Sequence, residues 1–201
     1  MSVSVQSAFP INELLSKRWS PFAFEDRSVS EENLRALFEA ARWSASAANE
    51  QPWSYIVATR DQPEEFARML SCVEDINQPW AKFAPVLVLG CTRLTFEHTG
   101  LPYATAEHDL GLASANLVFE ATARGLGVHQ MIHIHRDRAK ELYEIPEDVR
   151  PLTGLAIGYA GDDWRLPQSY QQEDQARRSR KPIDTFVFGK KWAMISPLVG
   201  R

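Results

Sequence analysis

Cysteine is scarce in this sequence: Cys72 and Cys91 are the two in 201 residues. They have no metal-ligand spacing and no second pair, which excludes a disulfide framework and points to a reducing cytoplasm. Positive charge is not in excess either. Lys plus Arg number 22 and Asp plus Glu 26, so 22 − 26 = −4, and a broad electrostatic grip on nucleic acid is excluded. No apolar run approaches the ~20 residues of a membrane-spanning helix; the longest lies around "APVLVLGC". The opening "MSVSVQSAFP" has neither a basic region nor a long apolar core, so no signal peptide is expected. Repeats and low-complexity tracts are absent. No G-x-G-x-x-G follows a strand pattern: Gly125-Leu126-Gly127 lacks the third glycine and follows a helix pattern, which argues against a dedicated dinucleotide domain.

What is present suits one globular domain over residues 1–201, with a flexible start (1–10) and a C-terminal extension (161–201). Hydrophobic residues make up 44% and charged residues 24%, an ordinary balance. A short amphipathic segment carries Ile11, Leu14 and Leu15 and stops near Ser20-Pro21. Ser30 has the character of an N-cap, with Glu31 and Glu32 after it and Val29 and Leu34 at staple positions. Residues 53–59 are expected as a strand, 63–70 as a helix, and 85–92 as a strand buried on both faces. Residues 103–124 read as a long helix, apolar nearly all round, with Gly111, Ala113, Ser114, Ala115 and Ala121; such a helix is central or is covered by a partner. A strand over 128–134, a helix from Asp137 to about Tyr143 and a strand over 152–159 follow. The chain then turns polar from Gly161 to Pro182, before "IDTFVF" alternates like a strand.

The polar groups worth weighing are three. "KRWSPFAF" supplies Arg18, Trp19 and Ser20, and an Arg-x-Ser beside a helix end can hold a phosphate. "ARWSASAANEQPW" supplies Ser46, Asn49 and Gln51 among alanines, small residues that let a ligand approach the backbone. "RRSRKP" supplies Arg178 and Arg180, either an anion site or a solvated face. His129, His133 and His135 fall on one side of the expected strand. No Cys or carboxylate stands in register with them, so packed or ligand-facing histidines are expected rather than a metal site.

As an ordered set these segments resemble the nitroreductase-like flavoproteins. The set is Arg18 and Ser20; Ser46, Asn49, Gln51, Pro52 and Trp53; Gly125 to Gly127; Ile145 to Glu147; Gly158-Tyr159; and Arg178 to Pro182. The resemblance covers roughly residues 11–188, the size of one domain. It implies an α+β fold, a three-layer α/β/α sandwich whose central sheet is mostly antiparallel and whose C-terminal strand is swapped onto a partner subunit. It implies FMN, with Arg18, Ser20, Ser46 and Asn49 about its ribityl chain and phosphate, Arg180 and Arg178 near the phosphate, and Trp19 and Gln51 also among the cofactor-binding residues. Asn77 falls where the family has an Asn toward the flavin ring, and the backbone of Met131, Ile132 and His133 would pass the ring's reactive edge.

Two departures from the family pattern stand out. Phe22 occupies a position that often carries Lys or Arg near flavin N1 and O2, and Ile132-His133 replaces two glycines. The function implied is an NADH- or NADPH-dependent oxidoreductase passing hydride through flavin N5 to nitroaromatic or quinone acceptors in a ping-pong cycle. The alternatives are a specialised member of the dehalogenase or flavin-fragmenting type, with "TFEHTGLPYATAEHD" as its lid, and a non-catalytic FMN-binding protein. The long helix and the tail together imply an obligate homodimer with its sites at the interface, cytoplasmic, with no nucleic-acid or membrane partner.

Overall fold

The computed structural model describes residues 7–162, 164–175 and 179–200. Asn12 accepts from the Leu14 N–H at 2.9 Å and opens α1, Glu13–Lys17. Ser30 caps α2, Glu31–Arg42, by accepting from the Asn33 N–H at 3.3 Å, and Val29 and Leu34 meet in one apolar cluster as the staple requires. Then come β1 (Trp53–Thr59), α3 (Pro63–Leu70), α4 (Gln78–Ala81), β2 (Val86–Arg93), α5 (Ala106–Ala123), β3 (Gly127–Met131), α6 (Arg136–Leu142), β4 (Val149–Gly158) and α7 (Gln168–Gln175). Ala47–Asn49 and Ile183–Thr185 are single 3-10 turns. Among the described residues no helix is long and apolar enough to cross a membrane.

The four strands form one antiparallel sheet in the order β1-β2-β4-β3. β2 is central, and Val86 to Thr92 are all buried. Its side chains alternate between two cores. Val86 and Val88 enter a cluster with Leu37 of α2 and Leu117 of α5, while Leu87 and Leu89 enter one with Phe66, Trp80 and Ala139 of α3, α4 and α6. Helices therefore cover both faces, the expected three-layer α+β arrangement. Each large aliphatic side chain so buried contributes roughly 1.5–3 kcal/mol before the entropy of ordering it is subtracted.

Helix α5 buries Ala106, Asp109, Leu110, Ala113, Ser114, Leu117, Val118 and Ala121, a stripe at the helical period. Its other face shows Gly111 and Leu112 exposed and Ala115 and Phe119 half-buried. The helix ends where Gly125 turns left-handed at φ +74, a conformation that suits glycine.

Several expectations are corrected. The long helix is shorter than 103–124, because residues 103–105 turn into it rather than join it. β3 ends at Met131, since the Ile134 segment bridges Val73 instead of β4. α6 starts at Arg136, one residue before the expected Asp137, with His135 at its cap position. The polar stretch after Gly161 is not simply extended: it contains α7 and packs on its own chain. Gly161 N–H donates to the Ala23 carbonyl (3.1 Å), Arg165 to the Phe24 carbonyl (2.7 Å), and the Tyr170 hydroxyl to the Ile76 carbonyl (2.5 Å). "IDTFVF" begins as a 3-10 turn rather than a strand. Pro182 sets that turn, and its carbonyl accepts from Thr185 N–H and Oγ1 at 3.1 and 2.6 Å. With these groups satisfied locally, no sheet edge among the described residues receives the segment; Phe188 instead bridges Ile195.

Candidate functional site

The run between α2 and β1 has an unusual backbone. Ala48, Asn49 and Gln51 have φ of 54, 56 and 52. Left-handed conformations cost an alanine or glutamine roughly 1–2 kcal/mol, and asparagine less. Local bonds shape the turn: Ser46 Oγ accepts from the Gln51 N–H at 3.0 Å, and Gln51 Nε2 donates to the Asn49 carbonyl at 3.0 Å. Its apex, Ala47 to Asn49, is exposed. From below, the buried Asp109 carboxylate of α5 accepts from the Ala47 N–H at 3.2 Å and from the Tyr103 hydroxyl at very short range. The same hydroxyl lies 2.9 Å from the Ala47 carbonyl. Burial, then the bond to Asp109, pushes the Tyr103 pKa up, so the hydroxyl keeps its proton at neutral pH. On the far side Glu50 accepts from the Glu97 N–H at 2.5 Å.

A second group of polar and aromatic residues lies on the opposite edge of the sheet. A Cβ on Gly127 would come within 2.5 Å of Pro21; glycine there lets the segment after α1 lie flat on β3. His129 of β3 is bonded through Nδ1 to the Pro21 carbonyl at 3.1 Å. Its ring sits 4.5 Å from Phe22 and 4.4 Å from Trp80, and Tyr170 of α7 closes on Phe22 at 5.1 Å. Asp174 of α7 accepts from the Phe22 and Ala23 N–H groups at 2.8 and 3.1 Å. Arg18 donates to Ser20 Oγ at 3.1 Å. With Lys17, Trp19, Thr122, Leu126 and Gly127, Arg18 lines a cavity of about 310 Å³. Burial lowers the His129 pKa below its ordinary value, against the bond to Pro21 that raises it, and the nearby Arg18 lowers it further.

The arrangement pairs an exposed, donor-rich turn at one edge with a cationic cavity and an aromatic cluster at the other. A model of the nitroreductase family matches residues 15–86. A solved structure of an oxidoreductase containing FMN is 33% identical, covers 93% of this chain and 95% of its own, and superposes with a TM-score of 0.88. The chain belongs to the nitroreductase family. An NADPH-dependent oxidoreductase of Staphylococcus haemolyticus (strain JCSC1435) is 28% identical over 197 residues, spanning 90% of this chain and 72% of its own length. The FMN reductase (NADPH) of Bacillus subtilis (strain 168) is 27% identical over 168 residues, 73% of this chain and 66% of its own.

In this member of the family the expected site residues divide into two sets. Ser46, Asn49 and Gln51 stand together before β1. Arg18, Trp19 and Ser20 stand together beside β3, whose C-terminal end continues through Met131, Ile132 and His133. That end lies alongside the turn before Asn77: Glu74 N–H donates to the His133 carbonyl at 3.1 Å and Asn77 N–H to the Glu74 carbonyl at 2.9 Å. Ile132 is 74% exposed. Arg180 is exposed and donates to the Ser179 carbonyl at 2.7 Å; Arg178 lies outside the described residues.

Phe22, expected near a ligand ring, packs half-buried among Trp80, His129 and Tyr170. His129 is separated from His133 and His135 because β3 ends between them, and no three His, Cys, Asp or Glu among the described residues are grouped to hold a metal. Sequence reasoning missed Tyr103, Asp109 and Asp174. Asp109 had a signal, a lone acid on the apolar stripe of α5; Asp174, in a polar run, had none.

Proposed function

We propose that this chain is an FMN-dependent NAD(P)H oxidoreductase of the cytoplasm, a homodimer that reduces nitroaromatic, quinone or related small acceptors in a ping-pong cycle. The observation that carries the reading is the division of the candidate residues into two complementary sets within a family whose 33%-identical relative contains FMN. The residues present fit such a group. Arg18 at the cavity of about 310 Å³ supplies a guanidinium, oriented by Ser20, for a phosphate. The Ser46 hydroxyl, already an acceptor for Gln51 N–H, keeps its own proton to donate. Ala47 and Ala48 are exposed and put only a methyl group each in the way of a ligand. Asn77 and the backbone of Met131, Ile132 and His133 are assigned to the ring, Trp19 and Gln51 to the flanks, and Arg178 and Arg180 to the phosphate. FMN, when bound, supplies the hydride and electron transfer; these residues bind it, orient it and exclude water.

The same division supports the dimer. Ala47 is tied to Asp109 near the start of α5, whereas Arg18 shares its cavity with Thr122 near the end. These lie 122 − 109 = 13 residues apart, about 20 Å at 1.5 Å per residue. A second copy, laid antiparallel along the exposed Gly111 and Leu112 face, would bring each turn to the other chain's Arg18. The tail is consistent with this, for Phe186, Trp192 and Leu198 are 62%, 89% and 89% exposed and are available for a partner to cover.

The test begins with the absorption spectrum of the purified protein, which should show bound FMN. Anaerobic NADH or NADPH should bleach it and a quinone should restore it. A colourless protein that ignores added FMN overturns the reading; bound flavin with no turnover assigns a binding protein instead. Light scattering should give twice 22.8 kDa at low concentration, since obligate interfaces persist on dilution.

A further inference from the structure

The turn before β1 stays strained although its apex is in water. Three non-glycine residues within four positions, Ala48, Asn49 and Gln51, have positive φ. Such conformations persist only where the surroundings over-determine them. The surroundings here are specific. Asp109 is 2% and Tyr103 4% exposed, so neither reaches the open apex, and both hold the backbone of Ala47: Asp109 accepts from its N–H, and the Tyr103 hydroxyl, its one proton shared with Asp109, lies against the carbonyl that also accepts from the Glu50 N–H. The Thr105 hydroxyl adds a third donor toward Asp109 at 3.5 Å. The Tyr103 ring is fixed in turn by Phe96, 4.4 Å away, and its N–H donates to the Leu94 carbonyl at 2.7 Å. Ala47 is the residue at which the chain enters the left-handed stretch, and holding both of its peptide groups fixes where Ala48 must begin.

We propose that Asp109 and Tyr103 are positioning residues for cofactor binding: through the Ala47 backbone they hold the Ser46–Gln51 turn in its left-handed form before the flavin arrives. The proposal rests on the FMN reading of the site. Its physical content is preorganisation. The strain and the ordering entropy of the turn are met during folding by buried hydrogen bonds, so binding does not have to meet them again. Neither residue touches the ligand, and their effect is transmitted by two peptide groups.

The experiment titrates the flavin-stripped full chain with FMN, following flavin fluorescence, and records the melting temperature of each flavin-free variant. Tyr103→Phe keeps the ring against Phe96 and loses the hydroxyl, which faces both the Asp109 carboxylate and the Ala47 carbonyl; FMN affinity should fall about fivefold or more. Asp109→Asn should lower it about tenfold or more, because a charged acceptor is removed. Ala48→Gly tests the mechanism. Glycine enters the left-handed region freely, so adding it to Tyr103→Phe should recover part of the lost affinity, a larger gain than the same change makes in the wild-type background. A merely structural role for Tyr103 would give additive effects. Wild-type affinity in Tyr103→Phe, or an Ala48→Gly effect equal in both backgrounds, overturns the proposal while leaving the FMN reading intact. A wild-type chain that takes up no FMN overturns both. If Asp109→Asn does not fold, Tyr103→Phe with and without Ala48→Gly still decides.

Discussion

The two edges of the sheet hold their polar residues by opposite means. At the β1 edge the Ser46–Gln51 turn is exposed and strained, and hydrogen bonds to buried Tyr103 and Asp109 support it from beneath. At the β3 edge the Arg18–Phe22 segment is extended and packed, its neighbours Trp80, His129 and Tyr170 forming an aromatic cluster. The first edge gains precision from directional bonds and puts little side chain in the way of a ligand. The second gains rigidity from area and keeps a cation at its margin. A hydrogen-bonded turn fails by losing shape, a packed edge by losing stability, and substitutions should separate the two.

The largest effect is expected at the packed edge. Trp80 is wholly buried, so Trp80→Ala should destabilise the fold by about 3–5 kcal/mol, read from the urea midpoint. Next is Arg18→Ala. It should leave stability nearly unchanged yet weaken FMN binding by one to two decades, since charge-assisted bonds contribute roughly 1.5–3 kcal/mol; Arg180→Ala should act in the same direction. Wild-type dissociation constants in both would place the phosphate elsewhere.

The third effect is a pH dependence. Burial keeps His129 neutral and its pKa below the ordinary 6.5. As pH falls through that ordinary value the unfolded ring takes a proton and the folded ring does not, so this contribution to stability is complete above about 6.5 and declines below it, until pH reaches the lowered folded value. Between pH 7.5 and 5.5 His129→Gln should flatten the decline in urea midpoint; identical slopes would mean that other groups cause it. The smallest effect returns to the strained edge. Ala48→Gly relieves a left-handed alanine but frees the unfolded chain, so a net gain of about 1 kcal/mol or less is expected. A clear loss of stability would mean that the turn is not strained as its backbone angles indicate.

Much of the fold was legible because its signals are local. Ser30 announced α2, Pro63 opened α3, and the unbroken apolar run of β2 required cover on both faces, which it has. The candidate residues were legible as types, an Arg-x-Ser and a turn of Ser, Asn and Gln among alanines. Their separation was not, because no local pattern states that residues 18 and 46 lie at opposite ends of α5. The segment "IDTFVF" misled for the same reason. Its alternation permits a strand, but a strand exists only where a neighbour offers its edge, and within this chain Pro182 and Thr185 close a 3-10 turn first.

By itself the sequence determined α2, α3, β1, β2 and the core of α5, and the two-faced burial of β2, since caps, prolines and side-chain period act over a few residues. Tertiary structure alone decided that Asp109 meets Ala47, that Asp174 meets Phe22 and Ala23, and that Phe22 joins an aromatic cluster. Those pairings span 62 and about 150 residues of chain. They exist because burying both faces of the sheet forces particular helices against particular loops, and a carboxylate carried into that interior must find donors wherever the packing leaves them.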